Sequence, residues 1–273
     1  MTTLVTGATG NVGRHVVDQL LRAGRRVRAL TRNPKAATLP DGVEVVTGDL
    51  SAPHTLLSAF DGVTAMHLIT FDGNGGAALQ TGPEIVKLAT SAGVQRVTVL
   101  WSGEEGPVEQ AVEESELEWT LLRPTVDYMS NMLAWADSIR ADGLVQEPFG
   151  NRLDAPIDEA DIGAVAATAL LGDGHAGRRY TLTGPEVLTI PDKVRAIGAA
   201  IGRDIQFVEL SEIQARERMR ESGTAEDVIE FVLGWYANPP EAASTVLPTV
   251  EELTGRPART IAHWVAEHAA IFR

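Results

Sequence analysis

Three glycines near the start of the chain constrain its fold more than any other feature. Gly7, Gly10 and Gly13 stand between a strand-like run at residues 3–6 and an amphipathic helix predicted from about residue 12 to residue 23. In such a turn the first glycine permits a tight bend, the second lets a pyrophosphate approach the backbone, and the third lets helix and strand pack closely. The helix N-terminus adds free N–H groups and partial positive charge. The pattern predicts a dinucleotide site, and a purely structural turn is the alternative.

Strands and helices alternate through the first half of the chain. Further strand candidates cover residues 26–30, 43–47, 64–69, 96–100 and 119–122, with helical patterns between them. This repeat predicts an α/β fold with a doubly wound parallel sheet and helices on both faces. After about residue 145 the pattern is mainly helical. We therefore expect a dinucleotide-binding Rossmann domain at 1–150 and a smaller, mainly helical substrate lobe at 151–273, with a late strand near 178–183 returning to the sheet.

Composition excludes several classes of function. The chain has 37 acidic and 23 basic residues and a net charge of -14, so its field repels phosphate backbones and no nucleic-acid partner is expected. Cysteine is absent, which excludes disulfides, thiol catalysis and Cys-ligated zinc, and the histidine spacing does not suit a metal. No targeting or membrane segment is recognisable. We expect a cytoplasmic monomer or homodimer with a small-molecule substrate and no membrane partner.

Other segments carry a resemblance to a known family. Residues 6–13 follow Gly-x-x-Gly-x-x-Gly, which resembles the extended and atypical short-chain dehydrogenases/reductases. The segments at 31–34 (Thr-Arg-Asn-Pro) and 120–124 (Thr-Leu-Leu-Arg-Pro) resemble the NmrA-like branch, which includes quinone reductases and redox-sensing regulators. Residues 182–186 and 253–257 resemble the same branch, so the resemblance covers nearly the whole chain.

The resemblance implies a set of cofactor contacts at the ends of the strands. The second strand ends in Thr31 and Arg32, without the carboxylate that would bind the ribose of NAD and repel a 2′-phosphate. Because a guanidinium holds a phosphate bidentately, NADP(H) is the expected cofactor, with Arg28 and Lys35 as further candidates. A solvated loop arginine is the alternative at Arg32. The implied cofactor-binding residues are Thr6, Gly7, Gly10, Asn11, Val12, Gly13, Arg32, Asn33, Asp49, Leu50, Leu68, Ile69, Thr70, Pro124 and Thr125.

The usual catalytic pair of the superfamily is missing. In Tyr-x-x-x-Lys the tyrosine donates a proton and the lysine lowers its pKa. The tyrosines at 128, 180 and 236 are followed four residues later by methionine, glycine and proline, and Gln110 stands where some NmrA-like members keep a lysine. Tyr128 and Ser102 are the candidate catalytic residues, against a packing role for Tyr128. Trp101, Met132 and Asp154 are candidate substrate contacts, although Met132 at helical spacing also suits a core.

Seven glutamates lie between residues 104 and 118 without a basic residue. The spacing of Glu105, Glu109 and Glu113 predicts one repulsive, solvated helix face. The alternative is that Glu105 or Glu109 faces the nicotinamide, as an acid with a raised pKa or as a ligand for a cationic substrate.

Together these features predict an NADP(H)-dependent oxidoreductase that reduces a small or aromatic ketone, quinone or enone without Tyr-x-x-x-Lys. One alternative is a non-catalytic NADP(H)-sensing regulator that binds a partner protein. Another keeps the cofactor as a structural element beside a non-redox reaction.

Overall fold

The strand–helix alternation builds a parallel sheet, seen here in a computed structural model that describes residues 2–72, 77–101, 103, 105–124 and 127–273. Within those residues, seven strands pair in the order β3-β2-β1-β4-β5-β6-β8, every neighbour parallel, and β7 pairs with β9 in a separate two-stranded parallel sheet. The strands are β1 (Thr2–Val5), β2 (Arg26–Thr31), β3 (Glu44–Thr47), β4 (Val63–Ile69), β5 (Arg96–Leu100), β6 (Glu118–Pro124), β7 (Leu144–Pro148), β8 (Arg178–Leu182) and β9 (Gln206–Leu210).

Ten α-helices connect the strands or follow them in the described part of the chain. They are α1 (Gly13–Arg22), α2 (Gly82–Ser91), α3 (Pro107–Glu113), α4 (Ala136–Asp142), α5 (Glu159–Leu171), α6 (Ile190–Ile201), α7 (Glu212–Glu221), α8 (Glu226–Ala237), α9 (Thr249–Thr254) and α10 (Ile261–Phe272). Shorter 3-10 helices cover Pro53–Phe60, Met129–Trp135 and Glu241–Ser244. The predicted doubly wound α/β fold is confirmed, since the strand order reverses between β1 and β4.

The chain divides into two compact units, and the division differs from the predicted boundary near residue 150. Unit 1 holds residues 1–124, 159–182 and 249–256, and unit 2 holds residues 125–158, 183–248 and 257–273. Residues 159–182 belong to unit 1 because β8 pairs with β6 and α5 packs on α1. Gly163 permits that packing, since a Cβ there would lie 2.6 Å from the His15 Cβ. Arg256 joins the third segment to α5 by a 2.7 Å ion pair with Asp161.

Unit 1 is organised around the central strands of its sheet. Met66, His67 and Leu68 of β4 are all buried, which suits a parallel strand covered on both faces. Helix α1 contributes Val16 and Leu20, both fully buried, to this unit. The apolar face of α1 therefore anchors the helix whose N-terminus follows the glycine turn.

Unit 2 is built around α6 and α10. Thr189 caps α6 by accepting from the Asp192 N–H, while the Asp192 carboxylate accepts from the Thr189 N–H. The cap fixes where α6 begins, and Val194 and Ile197 on its buried face belong to the same apolar core as Trp264. Lys193 lies on this buried face with 2 % of its surface exposed.

Candidate functional site

Thr6 fixes the point where the strand order of unit 1 reverses. Its backbone N–H and its hydroxyl each donate to the carbonyl of His67 at 3.0 Å, and its Oγ1 accepts from the Ile69 N–H at 2.9 Å. The buried hydroxyl thus ties β1 to β4. This contact gives Thr6 a positioning role beneath the glycine turn that begins at the next residue.

The glycine turn has the geometry that the sequence predicts. Gly7 has φ +62, where a side chain would be strained, and its carbonyl accepts from the Gly10 N–H at 2.8 Å. A Cβ at Gly13 would lie 2.1 Å from the same carbonyl oxygen, so only glycine lets α1 start this close to the turn. Arg14 stabilises the loop, because its guanidinium donates to the Gly10 carbonyl and to Asn11 Oδ1.

The residues of this loop fit a dinucleotide pyrophosphate. Chain neighbours aside, a Cβ at Gly10 would meet one atom of the described residues within 4 Å, the Gly7 oxygen at 3.1 Å, so it would otherwise face open space in that part of the chain. Gly10 and Asn11 are exposed, and Val12, at the N-cap of α1, provides no side-chain cap. The N-cap side chain thus does not occupy this end of the helix, and phosphate is a group that a helix N-terminus binds well.

The end of β2 presents the residues predicted to choose between cofactors. Arg32 and Asn33 are exposed, and the Asn33 N–H donates to Thr31 Oγ1 at 3.2 Å. Arg28, a further candidate for binding the 2′-phosphate, already binds other groups of the protein. Its guanidinium donates to the carbonyls of Ala59 and Asp61 and lies 3.0 Å from Glu44, so that suggestion is wrong.

The ends of β3 and β4 carry the remaining predicted contacts of unit 1. Asp49 is partly buried, and its carboxylate accepts from the Ser51 N–H at 2.8 Å, while Leu50 is buried and its carbonyl accepts from Thr81 Oγ1. Leu68 is fully buried, whereas Ile69 lies over the glycine turn with its Cγ2 3.0 Å from a Cβ placed on Gly7. Thr70 is buried and donates to the Leu100 carbonyl at 3.3 Å. The Ile69 side chain therefore lies beside the glycine turn, whereas the Thr70 side chain is engaged within the sheet.

Two of the residues singled out at the ends of β5 and β6, Ser102 and Thr125, lie outside the described residues. Trp101 is partly buried and lies under the Arg123 guanidinium, 5.4 Å from the ring centroid. Arg123 also forms an ion pair with Glu105. Pro124 is buried and pairs with Leu182 of β8.

The glutamate-rich segment does not form the solvated, repulsive face expected for it. Glu105 precedes α3 and is neutralised by Arg123, and Glu113 pairs with Arg179. Glu109 is buried, and its Oε2 accepts from the Gly106 N–H at 3.1 Å at the start of the helix. Burial raises the pKa of Glu109, with a smaller contribution from Glu105 in the same direction. The three glutamates therefore do not share one solvated face, because Glu105 and Glu113 form ion pairs with arginines of β6 and β8.

Unit 2 contains a cavity of about 330 Å³. Its wall includes the flat or flexible apolar side chains of Met132, Trp135 and Tyr236 and the charged side chains of Asp127, Arg152 and Lys193. Tyr236 and Arg152 stack, with the guanidinium carbon 3.8 Å from the ring centroid. The wall thus combines aromatic surface with a few converging charges, which is typical of sites for small organic molecules.

Four of the charged groups in and behind this wall form one buried cluster. Lys193 Nζ pairs with Asp127 Oδ2 and lies 2.5 Å from Asp154 Oδ1, and Arg152 Nε lies 3.3 Å from Asp154 Oδ2. Asn131 donates to the second oxygen of Asp127 at 2.9 Å. Two cations therefore compensate two aspartates away from water.

The two aspartates of the cluster share Lys193 unequally. Burial, together with the neighbouring Asp127 carboxylate, raises the pKa of Asp154 to about 6. Burial acts in the same direction on Asp127, but the Lys193 charge and its hydrogen bonds hold the pKa of Asp127 below its ordinary value. Asp127 is thus the carboxylate that stays ionised, and Asp154 is the one that takes up a proton first as the pH falls.

The structure brings together only some of the candidates predicted for catalysis and substrate binding. Met132 lines the cavity, and Asp154 contacts the Lys193 and Arg152 side chains that line it. Tyr128 is half-buried beside Ile157, in a parallel bridge in which Ile157 donates to the Asp127 carbonyl and Met129 donates to the Ile157 carbonyl. Tyr128 is not among the residues found to line the cavity.

Sequence reasoning missed Lys193, Arg152 and Tyr236 as site residues. One signal was available for Lys193. It occupies position i+3 of an apolar stripe formed by residues 190, 194 and 197, where a lysine is out of place unless buried acids neutralise it. Arg152 and Tyr236 lie 84 positions apart in sequence, and no local sequence pattern predicts that their side chains are in contact.

The described part of the chain offers neither a cluster of metal ligands nor a helix suited to a membrane. No group of three or more histidine, aspartate or glutamate side chains is placed to hold a metal ion among those residues. Among the helices described, none is both long and apolar enough to cross a membrane.

Comparisons with known proteins agree on one family. Residues 1–105 match the NmrA-like family. The chain is 38 % identical over 286 residues to (4-alkanoyl-5-oxo-2,5-dihydrofuran-3-yl)methyl phosphate reductase from Streptomyces griseus, covering 98 % of each chain. It is 35 % identical over 287 residues to NAD(P)H azoreductase from Xenophilus azovorans, again covering 98 % of each. Among solved structures, NADPH-dependent quinone oxidoreductase from Escherichia coli, complexed with NADPH, shares the fold with a TM-score of 0.81 and 24 % identity, over 97 % of this chain and 99 % of that one.

Proposed function

The chain belongs to the NmrA-like family of oxidoreductases, and from that premise we propose that it is an NADPH-dependent reductase of conjugated acceptors such as quinones and enones. The observation that carries the proposal is the glycine turn between β1 and α1. Its open Gly10, uncapped helix N-terminus and tie to β4 through Thr6 match what a dinucleotide pyrophosphate requires.

The choice of NADPH rests on the end of β2. No carboxylate stands there to bind an unphosphorylated ribose, and Arg32 is exposed at the position from which a guanidinium would meet a 2′-phosphate. When bound, the reduced cofactor supplies a hydride. The rest of the reaction depends on how the chain's own residues hold the acceptor and its cofactor.

The choice of a conjugated acceptor rests on chemistry that the chain lacks. Reduction of a simple ketone leaves a localised alkoxide, which Tyr-x-x-x-Lys enzymes protonate as it forms. In a quinone or an enone, addition of hydride leaves a delocalised anion that takes its proton from solvent. No Tyr-x-x-x-Lys occurs in the sequence. The named relatives also act on conjugated groups: an unsaturated furanone ring and an azo bond.

A paired substrate test follows from this argument. Purified protein is mixed with NADPH and with cyclohexenone, cyclohexanone or naphthoquinone, and loss of the NADPH absorption band is followed. We expect turnover of naphthoquinone and cyclohexenone and none of saturated cyclohexanone. Equal turnover of cyclohexenone and cyclohexanone contradicts the argument from conjugation. Tight NADPH binding without turnover of any acceptor supports the sensing regulator instead.

A further inference from the structure

The cavity of unit 2 has the size and the donors of a ligand site. Its volume of about 330 Å³ falls within the range typical of small-molecule sites, roughly 300–1,000 Å³. An ammonium group has three N–H donors. Lys193 donates to Asp127 and lies beside the Asp154 carboxylate, and no further acceptor for it is found in the described residues. Arg152 also lines the cavity, and its Nη1 is buried without a hydrogen-bond partner among the same residues.

Unused donors on buried cations call for an oxygen atom from outside the protein. An unsatisfied buried donor costs about 1–3 kcal/mol, so an oxygen placed against Lys193 or Arg152 would recover part of that cost. Two other polar side chains of the wall have partners of their own. Glu147 Oε1 accepts from the Trp135 indole N–H at 2.7 Å, and the Asn131 amide donates to Asp127 at 2.9 Å.

The charge of the wall argues for a neutral ligand. The positive charges of Lys193 and Arg152 are offset by Asp127 and Asp154, and the carboxylate of Glu147 adds one more negative group. An anion would meet a wall without surplus positive charge, and a cationic group offers no acceptor to the N–H donors of Lys193 and Arg152. A neutral carbonyl oxygen accepts a hydrogen bond without changing this balance.

The apolar part of the wall argues for a flat ligand. Trp135 is 8 % exposed and Met132 2 %, so both present their sides to the cavity from fixed positions in the core. Tyr236 is held by its stack with Arg152. We propose that this cavity binds the substrate of the proposed reduction as a neutral, planar carbonyl compound whose oxygen accepts from Lys193 or Arg152. The substrate role rests on the proposed function, whereas ligand binding to the cavity does not.

Cationic donors in contact with the carbonyl oxygen of the substrate would also stabilise the charge that this oxygen gains during reduction. Hydride addition to a quinone or an enone increases negative charge on the carbonyl oxygen. A cationic donor already in contact with that oxygen binds it more strongly as this charge grows. Lys193 and Arg152 are thereby substrate-binding residues that also favour the reduced state.

A blocking variant tests the site without disturbing its charges. Ala134 is an exposed residue in the wall of the cavity, so Ala134→Trp should fill the space. Ala266→Trp adds the same side chain on the exposed face of α10 and is the matched control. Naphthoquinone binding is measured by calorimetry without NADPH. We expect Ala134→Trp to weaken binding at least tenfold and Ala266→Trp to leave it unchanged.

Substitution of the donors tests the proposed contact. Arg152→Met and Lys193→Met should raise KM for naphthoquinone at least tenfold and leave the affinity for NADPH unchanged. Since Lys193→Met leaves two buried aspartates without their cation, the double variant Lys193→Met/Asp127→Asn keeps the test informative if the single variant does not fold. Arg195→Met, on the exposed face of α6, is the matched control.

The outcomes separate this inference from the proposed function. Turnover with an unchanged KM in Ala134→Trp and Arg152→Met overturns the cavity as substrate site and leaves the reductase standing. Binding that depends on Ala134 and Arg152, without turnover, overturns the reductase and leaves the ligand site standing. Stronger binding of naphthoate than of naphthoquinone overturns the choice of a neutral carbonyl ligand.

Discussion

Replacing Gly13 by alanine sets two effects of known size against each other. Gly13 is the first residue of α1, and alanine is more favourable than glycine within a helix by about 0.5–1 kcal/mol. Propensity alone therefore predicts a more stable protein. The structure predicts the opposite, because a Cβ at this position would lie 2.1 Å from the Gly7 oxygen and 2.6 Å from the Gly7 carbonyl carbon.

The size of the steric term follows from what would have to move. Ordinary contact begins at about 3.5 Å between carbon atoms, so the new methyl group, 2.6 Å from the Gly7 carbonyl carbon, is about 0.9 Å too close to that atom. The obstructing atoms are backbone, and Thr6 before them is tied to β4. Overpacking of this kind costs about 1–3 kcal/mol, and rigid backbone favours the upper end. After the helix gain is subtracted, we expect a net loss of about 2 kcal/mol, or about 4–8 °C in Tm.

Gly234→Ala is the matched control for this experiment. Gly234 lies inside α8, and beyond its own helix backbone and chain neighbours a Cβ there would meet no atom of the described residues within 4 Å. Alanine should stabilise this helix by up to about 1 kcal/mol. Denaturant unfolding and calorimetry of the three proteins, with and without NADPH, give both quantities. A Gly13→Ala protein that is as stable as Gly234→Ala would refute the argument that the turn excludes a side chain.

Four further predictions address the site and its pH dependence. Gly10→Val should abolish NADPH binding in a fluorescence titration and change Tm little, because among the described residues, chain neighbours aside, the Gly7 oxygen at 3.1 Å is the only atom within 4 Å of a Cβ there; retained binding would contradict the loop assignment. Arg32→Ala should reduce a preference for NADPH over NADH of about tenfold or more, since such a contact contributes about 1.5–3 kcal/mol, and equal titrations with the parent protein would count against it. Tyr128→Phe should leave the rate and pH profile of naphthoquinone reduction unchanged, whereas a loss of about 10²-fold would make Tyr128 the acid. Burial lowers the pKa of His67 to about 4, so the folded state resists a proton that the unfolded chain accepts below about 6.5, and stability should fall by about 2 kcal/mol from pH 6.5 to 4.5 through this residue alone. His67→Gln should flatten that part of the curve in urea titrations at each pH.

The sequence predicts unit 1 well because its signals are local. The strand, turn and helix around Gly7 and Gly13 require nothing beyond a dozen neighbouring residues, and the strands of the main sheet lie within a few residues of their predicted bounds. A strand at residues 205–209 is recognisable in the sequence and corresponds to β9, but strand β7, its pairing with β9 and helix α4 were not predicted. Residues 129–148 alternate short 3-10, helical and extended pieces, none of which is long enough to show a clear period.

The site in unit 2 was predicted in part, for the same reason. Met132 and Asp154 were singled out, but the cluster depends on pairs far apart in sequence, such as Asp127 with Lys193. Local patterns carry no information about such pairs. In the glutamate segment a local pattern was present but misleading. The regular spacing of Glu105, Glu109 and Glu113 suggested one helix face, but the helix begins only at residue 107, so Glu105 lies outside it.

The three-segment composition of unit 1 bears on how the chain folds during synthesis. When residue 150 leaves the ribosome, β6 has no partner on its outer edge, because β8 follows at Arg178–Leu182, and α1 is not yet covered by α5. An unpaired parallel edge and an uncovered apolar helix face invite association with other nascent chains. The whole of unit 2's first segment is made before this exposure ends. We therefore expect chaperones that bind nascent chains to engage fragments ending between residues 125 and 170 more strongly than those that extend past residue 182.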